Sequence, residues 1–161
     1  MRTAEVIREM IFFFGNGRKY IAHALKVYAY ALTIAELEKL EGESLEAVVY
    51  AAVLHDIGIK IAREKYGSCN DRQQEEEGPP KAENILSVLG VGKNIIDRVC
   101  FLIAHHHSPE VSEDIDFRIL LEADYLVNLE EENVPLSMKD EILEKHFRTE
   151  SGKTLLKTMF R

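Results

Sequence analysis

Four residues carry most of the chemical meaning of this chain: His23, the adjacent pair His55-Asp56, and Asp124. Each lies in a segment otherwise rich in Val, Leu, Ile and Ala. An imidazole or carboxylate on an apolar helical face is costly unless something binds it. Taken singly, each has an ordinary explanation as a core histidine or a surface acid. Taken together, two imidazoles and two carboxylates have one simple common partner, a divalent transition metal. Mixed nitrogen and oxygen ligands suit Mn, Fe, Co, Ni or Zn, whereas all-oxygen sites suit Mg or Ca. Neighbouring residues on a helix project about 100° apart. His55 and Asp56 can therefore share an ion only if it lies between their directions, and a helix end just before Gly58 leaves room for that. His23 and Asp124 must then arrive from neighbouring helices.

The elements that would position these residues all read as helix. Residues 3–13 form a first helix, ended at Asn16-Gly17. A long second helix spans 18–40, with His23, Val27, Tyr30, Ile34 and Leu37 on one face. Ser44 is the expected N-cap of a third helix, which carries Leu45, Val48, Ala52 and His55 on one face and stops near Gly58. Residues 64–80 are polar and read as a long loop, with Pro79-Pro80 opening a helix over 80–89. Further helices are expected over 93–107, 116–130, 138–147 (with Ser137 and Asp140 as a capping box) and 152–159. No alternating pattern, internal repeat or linker interrupts this series. The expectation is one all-α domain over 1–161.

Bulk properties set outer limits. The 161 residues are enough for a full hydrophobic core, and 46% hydrophobic with 30% charged residues is ordinary for a globular chain. A net charge of −8 disfavours binding to a long nucleic acid. It leaves a small phosphorylated substrate open, because a bound metal inverts the local sign. Two cysteines, Cys69 and Cys100, give neither a disulfide framework nor metal spacing. No apolar run approaches a membrane span, and the short run Met10–Phe14 does not make a signal sequence; a cytoplasmic protein is expected. Ser151-Gly152-Lys153-Thr154 mimics the end of a phosphate-binding loop, but Phe147 stands where its first glycine belongs. The run Phe12–Phe14 and the terminal Met159-Phe160 are candidates for core or for a homodimer contact.

The strings His23-Ala-Leu-Lys-Val-Tyr28, Ala51-Ala-Val-Leu-His55-Asp56-Ile57-Gly58 and Leu121-Glu-Ala-Asp124 resemble the HD-domain metal-dependent phosphohydrolase superfamily. The likeness covers about residues 18–130 and extends to an uncharacterised single-domain branch through Lys65-Tyr66, Gln74–Pro79, His105–His107 and Glu122–Asn128. It implies a compact helical bundle whose metal ligands are His23, His55, Asp56 and Asp124. Many members have Lys or Glu at the fifth position of the His-Asp motif. Here Ile59 occupies it and Lys60 follows, so the acid/base role does not carry over directly; Lys60, Arg63 or Lys65 could still reach a phosphate. By the same resemblance, His106 or His107 could build a second ion site bridged by Asp56, or contact phosphate. Glu77, in the acidic run Glu75–Glu77, is a further candidate near the substrate.

The expectation is a phosphohydrolase carrying one or two ions, in which metal-activated water attacks a nucleotide or another small phosphomonoester or phosphodiester. Asp56 and Lys60 are the expected catalytic groups. Two alternatives stand beside it: a di-iron HD enzyme that activates oxygen, and a non-catalytic protein that holds metal or nucleotide as a ligand.

Overall fold

The structure, a computed structural model, describes residues 1–161 as nine α-helices joined by short turns. They are α1 (Thr3–Phe14), α2 (Arg18–Leu37), α3 (Gly42–Leu54), α4 (Gly58–Tyr66), α5 (Asp71–Val88), α6 (Lys93–His105), α7 (Ile115–Glu131), α8 (Lys139–His146) and α9 (Glu150–Met159). Single 3-10 turns at Pro109–Val111 and Leu136–Met138 precede α7 and α8. No helix is long and apolar enough to cross a membrane.

α3 is the axis of the bundle. Every residue from Ala47 to Leu54 is buried, so beyond its exposed first turn this helix has no solvent face. A helix that is apolar all round must be surrounded, and α1, α2, α6 and α7 surround this one. The chain enters it earlier than Ser44: Gly42, at φ +64°, takes the left-handed turn that starts the helix. α2 stops earlier than expected as well. Lys39 turns left-handed at φ 60°, and the Leu40 N–H closes back on the Ala35 carbonyl, so Leu37 is left exposed.

The main departure from the sequence reading lies between 58 and 88. The His-Asp segment is not the end of one helix but a bend between two, with His55, Asp56 and Ile57 turning the chain from α3 into α4. The expected loop over 64–80 is mostly helix. α5 opens with a reciprocal cap between Asn70 and Gln73 and runs through Pro79-Pro80 without stopping. The two prolines forgo bonds to the carbonyls of Glu75 and Glu76. Gly78, having no Cβ, tolerates the helical conformation before a proline. A Cβ on Gly78 would meet the Ile103 side chain of α6 at 2.9 Å, and it is Gly58 that lets α4 and α5 cross at backbone contact. A Cβ on Gly58 would lie 2.7 Å from the Gly78 nitrogen and closer still to the Gln74 carbonyl oxygen.

The C-terminal elements pack on the back of α7. Fully buried Glu122 accepts the N–H groups of Arg148 (2.6 Å) and Thr149 (3.0 Å) and the Thr149 hydroxyl (2.5 Å). Burial raises its pKa against the pull of those bonds. Neither Ser137 nor Asp140 caps α8, which continues directly from the preceding 3-10 turn. In the aromatic run of α1, Phe14 is buried and Phe12 is 70% exposed. Phe13 lies between the ammonium groups of Lys60 (5.0 Å) and Lys81 (4.8 Å).

Candidate metal centre

Three helices and one bend deliver the four acid and imidazole groups to one point. α2 brings His23, the α3–α4 bend brings His55 and Asp56, and α7 brings Asp124. His23 Nε2 lies 3.2 Å from His55 Nε2, 3.1 Å from Asp124 Oδ1 and 3.3 Å from Asp56 Oδ2. His55 Nε2 lies 3.4 Å from both carboxylates. An ion with ligands at about 2.1 Å has adjacent ligand atoms about 3.0 Å apart in octahedral geometry and about 3.4 Å apart in tetrahedral geometry. The five measured edges fall in that interval.

The protonation pattern points the same way. His55 Nδ1 lies 2.8 Å from the Ala52 carbonyl, and His23 Nδ1 lies 2.9 Å from a Glu131 oxygen. Both partners can only accept, so both Nδ1 atoms carry hydrogen. The two Nε2 lone pairs therefore face each other and two carboxylate oxygens. Four acceptors aimed at one point call for a cation. The orienting partners on the far ring nitrogens, a backbone carbonyl and a carboxylate, are those that metal-ligating histidines use.

The electrostatics follow from the crowding. Burial opposes charge on His55, but the Asp56 and Asp124 carboxylates overcome it and hold its pKa well above the ordinary value. Burial likewise opposes protonation of His23, whose pKa is nonetheless raised by its bond to Asp124. For Asp56 and Asp124, burial favours the neutral acid. The histidines outweigh it and keep both far below the usual carboxylate range.

A second constellation adjoins the first. Asp56, His106 and His107 place one ligand atom each within 4.8 Å of one another. His106 caps α6, is buried, and donates Nδ1–H to the Ile103 carbonyl at 2.7 Å. Its Nε2 faces Asp56 Oδ1 at 3.6 Å. His105 takes no part and packs on the Phe101 ring instead.

The remaining candidates lie elsewhere. Lys60 donates to the Phe13 carbonyl at 2.7 Å, which makes its ammonium a cap on α1 rather than a member of the cluster. Ile59, not Lys60, faces the cavity over His23 and Asp56. Lys65 and Glu77 are paired at 2.8 Å, with the Tyr66 hydroxyl also on Glu77, and tie α4 to α5 at the surface. Arg63 stands 5.7 Å from the Tyr20 ring; Lys19, 5.0 Å from the same ring, borders that cavity.

Three openings adjoin one another along α7, two of them bordered by residues of the cluster. One of about 520 Å³ is bordered by Lys19, Tyr20, His23, Asp56 and Ile59. One of about 310 Å³ is bordered by Asp71, His106, His107, Asp124 and Tyr125. The third, about 250 Å³, reaches Met138, Lys145 and His146. Asn128 and Glu132, one turn apart on α7, border all three.

Sequence reasoning passed over Glu131, Asn128, Glu132 and Gln74. The α7 residues were recoverable from helical spacing, since Asn128 and Glu131 continue the stripe of Asp124. Gln74 sits in a segment whose composition reads as solvated loop, and its one signal is its place in the Gln74–Pro79 string that carries the resemblance.

An all-α bundle that gathers His, His-Asp and Asp in this order defines the class of the protein. The HD domain family matches residues 20–129, and the chain belongs to that family. In solved structures it is similar to the crystal structure of a predicted HD superfamily hydrolase from an uncultured Thermotogales bacterium. The TM-score is 0.67 at 22% identity, over 98% of this chain and 82% of the other. No curated protein matched the chain in sequence.

Proposed function

We propose that the protein is a metal-dependent phosphohydrolase acting on a small phosphate ester, with a nucleotide as the first substrate to test. The observation that carries the reading is the convergence of four acceptor atoms, on His23, His55, Asp56 and Asp124, at metal-ligand spacing. A divalent ion in such a set lowers the pKa of a bound water and polarises a phosphoryl oxygen.

The chain's own residues do the rest. Glu131 and the Ala52 carbonyl fix the ring orientations of His23 and His55. Lys19 is the cation that borders the 520 Å³ cavity, where it can offset charge on a phosphoryl group. Asn128 and Glu132 offer an amide and a carboxylate to hydroxyl or amino groups of the ester's alcohol portion. The carboxylates around the openings disfavour a chain of several phosphates.

Elemental analysis of the purified protein beside His55→Ala, followed by turnover of p-nitrophenyl phosphate and nucleoside monophosphates with Mn, Fe, Co, Ni or Zn, tests the reading. Near-stoichiometric metal that is lost in the variant, with phosphate released, is the expected result. A protein that takes up none of these ions, or that holds one and releases no phosphate from any ester, overturns it.

A further inference from the structure

The two constellations share Asp56 but differ in how their lone pairs are met. Asp56 Oδ2 faces His23 and His55 at 3.3 and 3.4 Å. Its Oδ1 faces the other way, toward α5 and the end of α6, and there it meets the side-chain amide of Gln74. Gln74 is buried, with 5% of its surface exposed. Its Nε2 donates to Asp56 Oδ1 and lies 3.3 Å from His106 Nε2, while its Oε1 lies 3.1 Å from His107 Nε2.

Every atom in this arrangement has a complementary role. A carboxylate only accepts, so the amide must turn its NH₂ toward Asp56. His106 has committed its Nδ1–H to Ile103, so its Nε2 accepts the second amide hydrogen. His107 then donates its Nε2–H to the amide oxygen. With both rings neutral, the first cluster has four acceptors and no donor; the second has three ligand atoms and one amide that satisfies all of them.

The position of Gln74 is not adjustable. Its turn of α5 rests on Gly58, with no space between them for a methyl group. The residue two places after Asp56 thus sets the height at which the amide meets Asp56.

We infer that Gln74 fills the second ion position, so that the protein carries one divalent ion per chain, held by the first cluster. The inference rests on the metal-binding reading above. It places a specificity for metal number in one neutral side chain. Replacing that amide by a ligand, as in Gln74→Glu or Gln74→His, converts Asp56, His106 and His107 into a second site with Asp56 as the bridge.

The test is metal stoichiometry on folded protein loaded with Mn and dialysed, with electron paramagnetic resonance as a readout independent of turnover. Wild type is expected to hold one equivalent with the signal of an isolated ion. Gln74→Glu is expected to hold two, with the altered signal of a coupled pair, and His106→Ala in that background returns the count to one. Two equivalents in wild type overturn the inference and leave the first site standing. One equivalent in both Gln74→Glu and Gln74→His, when both fold, overturns it as well. No bound Mn in wild type removes the metal-binding reading itself and this inference with it. If neither variant folds, the wild-type count alone decides between one ion and two.

Discussion

Gly58→Ala tests the joint between fold and site. The added methyl carbon would stand 2.7 Å from the Gly78 nitrogen, about 0.7 Å inside ordinary contact at 3.4 Å, and nearer still to the Gln74 carbonyl. Both obstacles are backbone atoms of α5, so no rotamer change relieves them and the helix crossing has to open. Overpacking of this kind costs about 1–3 kcal/mol, with the upper end expected where backbone must move. Alanine recovers less than about 1 kcal/mol in helix propensity, because Gly58 is the first residue of α4. The net loss is about 2 kcal/mol, which for a chain of this length corresponds to a fall in Tm of about 4–8 °C. Opening the crossing also withdraws Gln74 from Asp56, and ion affinity is expected to fall by about tenfold, as for other supports of a metal ligand. Circular dichroism melts and Mn titration read the two effects. A variant that melts within about 1 °C of wild type and binds its ion as tightly refutes the close crossing of α4 and α5.

Three further predictions concern individual side chains. Glu131→Gln weakens the acceptor that orients His23 and should reduce ion affinity by about 10–100-fold, measured by competition with a chelator; wild-type affinity would remove Glu131 from the site. Lys60→Met deletes a charged hydrogen bond to the Phe13 carbonyl, worth about 1.5 kcal/mol, and should lower Tm by about 3–6 °C while the metal content stays unchanged. Loss of the ion at unchanged Tm would instead put Lys60 at the site. The third is a pH dependence. The folded pKa of His55 lies well above its unfolded value of 6.5, so its contribution to the metal-free protein is complete below that pH and fades as pH rises through the folded value. Metal-free protein should therefore lose Tm as pH is raised from 6.5, while ion-loaded protein does not. Ion uptake should release protons, seen by calorimetry in buffers of different ionisation enthalpy; uptake without proton release contradicts the raised pKa.

The residues that were legible in the sequence are those whose burial is apolar. α2, α3, α6 and α7 announce themselves through Val27, Ile34, Val48, Ile103, Leu120 and their neighbours, and the ligands stand out because they interrupt those faces. α5 was hidden for a physical reason. It packs through Gly78, Ala82 and Gln74 rather than through large apolar side chains over its first turns, so its pattern matches a solvated segment. Pro79-Pro80 reinforces that reading, since each proline lacks the N–H that a helix interior uses and disfavours the helical conformation of the residue before it. The double role of Asp56 was invisible for a related reason. A carboxylate shared between two clusters is defined by which oxygen faces which helix, and nothing in residue type or spacing records that. The C-terminal end of α2 was misjudged because a left-handed lysine carries no composition signal.

Glu122 has a consequence for how the site is held in register. Successive residues turn about 100° around a helix, so Glu122 and Asp124 project from nearly opposite sides of α7. Asp124 points at His23 and His55, while Glu122 is gripped from behind by the 148–149 backbone and the Thr149 hydroxyl, with Gly152 pressed against its carboxylate. That grip opposes rolling of α7 about its own axis, and a roll is the motion that would swing Asp124, Asn128 and Glu131 away together. The aim of Asp124, one of the four residues proposed to hold the ion, is thus set by a stretch of chain outside the family-matched residues 20–129, acting as a rotational stop rather than as part of the chemistry.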